Sequence, residues 1–147
     1  MAEVRYAMAT WAGDLTSGAG TIDYVSSGAF ARMPVTWASR TSAHNGKTSP
    51  EELLAAAHAA CFSMAFSARL GKNGTPASKL SVKVDVTFDN SSGGWKVASS
   101  HITVLGDVPG IDAARFAELA EDAKDNCPIS GAIKGNVALS VEATLAG

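Results

Sequence analysis

Ser49-Pro50-Glu51-Glu52-Leu53-Leu54-Ala55-Ala56-Ala57-His58-Ala59-Ala60-Cys61-Phe62-Ser63-Met64 is the stretch that decides how this chain folds. Ser49 is a good helix N-cap, Pro50 suits the first helical position, and Glu52 completes a capping box with Ser49. Two acidic residues in the first turn complement the helix dipole. The run predicts a helix from Ser49 to about Leu70, ended by Gly71 or Gly74. Its centre is apolar nearly all round and rich in alanine. A helix of that kind is buried on more than one side. A chain of 147 residues has little left with which to cover it. A second subunit would do so, and the expectation is an intertwined homodimer with this helix at its centre.

Outward from the helix, Leu80 to Phe88 alternates apolar and polar residues with period two, the mark of a strand with one covered face. Trp95 to Leu105 reads as its hairpin partner across the Asn90-to-Gly94 turn. Val137, Leu139, Val141, Ala143 and Leu145 predict a third strand. A second helix starts after Pro109-Gly110 with Asp112 as cap and ends near Asn126; Phe116, Leu119, Ala120 and Ala123 form its apolar stripe. On the N-terminal side, Val4–Trp11, Gly20–Ser26 and Met33–Ala38 are candidate strands. Strands and helices do not alternate strictly, so the fold class is α+β. No repeat, linker or low-complexity tract divides the chain, and residues 1–147 read as a single domain.

Composition narrows the function. The net charge of −2 leaves no basic footprint for nucleic acid. The N-terminus lacks a basic segment followed by an apolar run, so a signal peptide is not expected. The most apolar stretch, Leu53 to Leu70, is interrupted by His58 and Arg69, which argues against a membrane span. The expectation is a soluble, cytoplasmic protein. In a reducing compartment two cysteines are more often free, catalytic or metal-bound than a permanent staple, and without a Cys-x-x-Cys spacing they are a weak zinc signal.

Those cysteines are the chemistry. Cys61 falls mid-helix and is expected to be buried; Cys127, in Asn126-Cys127-Pro128-Ile129-Ser130, falls at the end of the second helix and is expected near the surface. Pro128 can open a new helical turn. A thiol attacks as the thiolate, and burial disfavours that form. Cys61 therefore needs a cation; Arg32, Arg40, His44, Lys47 and His58 are near in sequence. Several readings stand side by side. The two thiols could be a redox pair, one to attack and one to resolve. Cys61 could instead be a small buried hydrophobe, with Cys127 incidental, in a dimeric stress protein or ligand binder without catalysis. His58, one turn before Cys61, could serve as base in a Cys/His thiol hydrolase; the blander reading is a core or interface histidine.

The helix stretch quoted above closely resembles the central-helix motif of the OsmC/Ohr family, the osmotically inducible protein C and organic hydroperoxide resistance proteins. Val108-Pro109-Gly110-Ile111-Asp112 and Asn126-Cys127-Pro128-Ile129-Ser130 resemble two further family segments. Trp11-Ala12-Gly13-Asp14 and Gly18-Ala19-Gly20-Thr21 resemble the opening of the OsmC branch, which the histidine-containing helix motif also favours. The resemblance implies an OsmC-like fold in an intimate homodimer, with mostly antiparallel sheets packed on the central helix. It implies a thiol peroxidase reducing organic hydroperoxides, with Cys61 as the peroxidatic and Cys127 as the resolving cysteine. Arg40 matches the family arginine and Glu51 the glutamate that pairs with it. An external dithiol, typically dihydrolipoamide or a lipoylated protein, would restore the thiols, and no metal or organic cofactor would be needed. Two positions depart: Ser49 stands where asparagine is common, and Thr41 where an aromatic residue is common, which alters the pocket lining.

Glu51 and Cys61 are ten residues apart on one helix, roughly 15 Å along its axis. They cannot touch within one straight helix. Either the Arg40 side chain bridges part of the gap, or Arg40 and Glu51 come from the partner; the expectation is the second, a composite site between antiparallel central helices. A Cys61–Cys127 disulfide would require Cα atoms within about 7 Å, so Cys127 must pack beside the central helix.

Overall fold

The computed structural model describes every residue from Met1 to Gly147. The elements run β1 Ala7–Ala12, β2 Ala19–Val25, β3 Ala31–Val35, α1 Trp37–Thr41, α2 Pro50–Lys72, β4 Lys79–Asp89, β5 Lys96–Asp107, α3 Ala113–Asn126, α4 Pro128–Ile133 and β6 Ala138–Leu145. They gather into two compact units, Met1–Leu53 and Leu54–Gly147. The α2 helix starts in the first and continues in the second.

The first unit is built on an antiparallel meander, β1-β2-β3. Asp14 shapes the turn between β1 and β2: its carboxylate accepts the Ser17 and Thr16 hydroxyls and both their backbone N–H groups. These bonds, led by the Ser17 hydroxyl, hold its pKa at about 2. The strand expected over Met33–Ala38 is displaced, starting two residues earlier at Ala31. It stops at Val35, and Thr36 turns the chain into α1. The Thr36 hydroxyl accepts the Ser39 N–H, and the Ser39 hydroxyl accepts the Thr36 N–H, each at 3.1 Å. This capping box gives a helix a start inside what reads as a strand.

The second unit holds the core. Here β4, β5 and β6 form one sheet with β5 in the middle. The β4–β5 pair is an antiparallel hairpin with a bulge between Thr87 and Phe88. The β5–β6 pair is parallel, so the sheet is mixed. The route explains the direction: residues 108–137 carry two helices, a crossover long enough to bring the chain back to the same end of the sheet. Ser100, Ile102, Val104 and Gly106 alternate along the buried face of β5. Phe62, Phe66 and Leu70 from α2 cluster there with Ile102 and Val104 and with Phe116, Leu119, Ala120 and Ala123 from α3. Those four α3 residues are the stripe that the sequence predicts. The Phe66 ring lies 5.4 Å from Phe62 and 5.0 Å from Phe116, both tilted. Gly106 is required by this packing, since a Cβ there would collide with the Phe116 ring edge.

The start of α2 keeps half of the capping box expected there, because Glu52 turns to Thr48 instead of the Ser49 N–H. The Ser49 hydroxyl accepts the Glu52 N–H at 3.1 Å, and the Glu52 carboxylate accepts the Thr48 hydroxyl at 2.9 Å. Gly74, at φ +79°, takes the left-handed conformation just beyond the other end. By length and composition α2 is apolar enough to cross a membrane, contrary to the weight given above to His58 and Arg69. Its three buried aromatic and leucine side chains are those of a core helix. It is not covered all round, however: Ala56, Ala57, Ala60, Met64, Ser67 and Ala68 are exposed, Met64 at 69%.

Candidate active site

Cys61 and Cys127 are 66 residues apart in sequence, and their sulfurs lie 2.8 Å apart. Three elements bring this about. Cys61 rides on α2. Cys127 is the junction between α3 and α4, with its N–H donated to the Ala123 carbonyl at 2.9 Å and its carbonyl accepting the Gly131 N–H at 3.0 Å. Pro128 opens α4 at its first position, as expected. The junction folds back onto α2, so both thiols belong to one cluster.

Their exposures reverse the expectation. Cys127 is 1% exposed, and Cys61 is half-buried. The reason is the turn itself: α4 doubles the chain back over Cys127, whereas Cys61 lies toward the open side of α2. The partly exposed thiol is thus the one a substrate can reach, and the hidden one lies directly behind it.

Burial pushes the Cys61 thiol above its ordinary pKa. The neighbouring Cys127 thiol adds to the shift, chiefly through the hydrogen bond between the two thiols and less through charge repulsion. The backbone N–H of Ile129, in the first turn of α4, opposes both by hydrogen bonding to the Cys61 sulfur.

His58 is not the base of a hydrolase pair. It is completely buried, with Nδ1 2.7 Å from the Ser100 hydroxyl and Nε2 2.8 Å from the Ser130 hydroxyl. Both ring nitrogens are engaged by serines, so neither is available to Cys61. Burial lowers its pKa, and the neutral ring has one donor and one acceptor nitrogen. One serine therefore donates to it and the other accepts. The bland expectation of a core histidine holds, with hydroxyls as partners. Ser100 carries no sequence motif that would mark it; Ser130 closes the Asn126–Ser130 segment, where only Cys127 reads as a site residue.

In the first unit Arg40 and Glu51 meet as the sequence predicts. Arg40 Nη2 donates to Glu51 Oε1 at 2.6 Å, and Nε donates to Oε2 at 3.2 Å. The pair is bidentate. Glu51 is 7% exposed, and the Arg40 guanidinium also lies over the Trp37 ring, 5.7 Å from its centroid. Around it is a cavity of about 320 Å³ lined by Trp11, Leu15, Val35, Thr36, Trp37, Arg40 and Pro50. Its walls are apolar apart from Thr36 and the guanidinium. Trp11, Leu15 and Trp37 were missed as site residues. The signal for Trp37 is the Thr36–Ser39 cap; Trp11 opens the Trp11–Asp14 segment of the family resemblance, and Leu15 has no signal short of the fold. No cluster of three or more metal-ligating side chains is present.

The chain's similarities agree with this geometry. The family model described as OsmC-like protein matches residues 43–142. Peroxiredoxin OsmC of Escherichia coli is 37% identical over 134 residues, 91% of this chain and 92% of that protein. The crystal structure of the organic hydroperoxide resistance protein OhrB of Bacillus subtilis superposes with a TM-score of 0.64 at 27% identity, covering 95% of this chain and 98% of that one. That of an OsmC-like protein from Mycoplasma pneumoniae gives 0.71 at 15% identity over the full length of both chains, a likeness of fold.

Proposed function

The chain belongs to the OsmC-like protein family, and from that premise we propose that Cys61 and Cys127 carry its thiol-dependent reduction of organic hydroperoxides. The contact of the two sulfurs at 2.8 Å is the observation that carries the assignment. The Cys61 thiolate attacks the outer oxygen of the hydroperoxide; the O–O bond breaks, and the alkoxide leaves and takes up a proton as alcohol. Cys61 becomes a sulfenic acid. The Cys127 sulfur then attacks the Cys61 sulfur, a disulfide forms and water departs. An external dithiol, preferably of lipoyl type, exchanges with the disulfide and returns both thiols. No step calls for a metal or an organic cofactor.

Arg40 is assigned to activation. A guanidinium beside Cys61 favours the thiolate against burial and can donate to the peroxide oxygens. Glu51 holds it in orientation. The apolar cavity around the guanidinium suits a substrate with a polar head and a hydrocarbon tail. We assign Arg40 and Glu51 to the Cys61 of a second subunit. The exposed small and apolar face of α2, from Ala56 to Ala68, supports a homodimer built on this helix. So do the exposed Tyr6, Met8, Trp11, Tyr24 and Met33 of the first unit. The reading takes residues 1–147 as one OsmC-like domain built from the two units. A cycle that regenerates free thiols fits a reducing compartment, so the protein is assigned to the cytoplasm.

Mass spectrometry after one equivalent of cumene hydroperoxide tests the core of this. The expected product is the chain less two hydrogens, with Cys61 and Cys127 peptides bridged. Turnover with a dithiol should vanish in Cys61→Ser, and Cys127→Ser should leave a sulfenic acid that can be trapped. Unbridged cysteines in a protein that still consumes the hydroperoxide would refute the pairing.

A further inference from the structure

We propose that the buried His58–Ser130 hydrogen bond is a tie that positions Cys127 for closure onto Cys61, making His58 and Ser130 positioning residues of the resolving step. The proposal rests on the assignment of those cysteines as the redox pair.

His58 lies one helical turn before Cys61 on α2, and Ser130 lies one turn after Cys127 on α4. Their 2.8 Å bond therefore spans the same two helices as the sulfurs, one turn away. His58, Ser100 and Ser130 are each 1% exposed or less. The other charged link from α2 to this region, Arg69 with Asp122 on α3, is open to solvent at 30% and 48% side-chain exposure, and such pairs constrain little. Ser100, on the central strand β5, takes the other ring nitrogen and satisfies its hydrogen bonding. The ring itself is held by enclosure. Unlike the Ile129 N–H contact to the Cys61 sulfur, the His58–Ser130 bond ties α4 to α2 without using a reacting thiol, in a place where water cannot substitute for it.

Resolution makes a specific demand on that bond. When Cys61 becomes a sulfenic acid, an added oxygen occupies the cleft beside Cys127. The junction must yield and then return, so that the Cys127 sulfur can attack, the S–O bond break and the hydroxide leave as water with the Cys127 proton. A held α4 turn keeps the effective concentration of the second thiol high. A loose one lets the sulfenic acid survive, open to a second hydroperoxide and over-oxidation.

The test is single-turnover kinetics with cumene hydroperoxide, following sulfenic acid by dimedone trapping and the bridge by mass spectrometry. Ser130→Ala should slow bridge formation about tenfold, in line with the loss of one buried hydrogen bond, while slowing sulfenic acid formation much less. Ser100→Ala removes a hydroxyl from the same histidine and should close at the parental rate. His58→Leu removes the tie from the other helix, leaving no polar atom to bond Ser130, and should slow closure as Ser130→Ala does. Equal closure in Ser130→Ala and Ser100→Ala, whether both parental or both slowed, would overturn the tie and mark the triad as general core packing. So would parental closure in His58→Leu. A parent protein that never forms the bridge would overturn the redox pairing together with the tie; loss of the tie alone leaves the pairing standing.

Discussion

Arg40 illustrates how one residue can combine several constraints. Its guanidinium is fixed by two bonds to Glu51 and lies over Trp37. Lysine would keep the charge and lose the planar fork. Arg40→Lys should lower kcat/KM for cumene hydroperoxide about 10- to 100-fold, the worth of one charge-assisted hydrogen bond, with little change in thermal unfolding. Parental kcat/KM would remove the fork from the mechanism. His58 gives a second prediction, on stability. Its folded pKa lies below the ordinary 6.5 because of burial. The unfolded chain then binds the proton more tightly, so the stability from neutral His58 is complete above pH 6.5 and is lost as pH falls toward the folded pKa. Denaturant midpoints of the parent should fall on acidification below that value, and His58→Gln should show a shallower fall. An equally steep fall in the variant would assign the acid sensitivity to other groups.

Among the elements, α3 and the β4–β5 hairpin were legible because each covers one face only. Phe116, Leu119, Ala120 and Ala123 recur at helical spacing, and Leu80 to Phe88 alternates, so periodicity reports burial directly. Two features escaped. The capping box of Thr36 and Ser39 lies within the segment read as a candidate strand and starts a helix there. The direction of β6 lay in the length of the crossover, since the alternation of β6 is the same for either direction. The contact between β5 and α3 gives a further test. Gly106→Ala should destabilise the fold by about 1–3 kcal/mol through the collision with Phe116. A double variant with Phe116→Leu should recover part of the loss if the clash is the cause. An unchanged denaturation midpoint in Gly106→Ala would show that the ring edge can yield.

At the scale of the whole molecule the proposed homodimer predicts which subunit serves which thiol. Coexpression of Arg40→Ala with Cys61→Ser decides it. Each variant alone should be inactive or strongly impaired. If the site is composite, the mixed dimer joins an intact Arg40 to an intact Cys61 at one of its two sites. Activity of the purified mixed dimer should approach half the parental value. If each subunit is self-sufficient, the mixture stays as low as its components. Light scattering on the parent should give twice the chain mass, and a monomeric mass would remove the basis for the second subunit.

The sequence by itself determined the α+β class, the capped central helix and the two thiols, and the family resemblance implied the Arg40–Glu51 pairing. Caps, periods and residue chemistry are local properties, and the family motifs preserve them in order. The tertiary structure alone decided that Cys127 is hidden and Cys61 partly open, that His58 is enclosed between Ser100 and Ser130, and that Trp11, Leu15 and Trp37 line the cavity around the guanidinium. Exposure and side-chain partnership depend on which distant segments meet. Those meetings arise only when the core closes and brings residues 61 and 127, or 58, 100 and 130, to the same place.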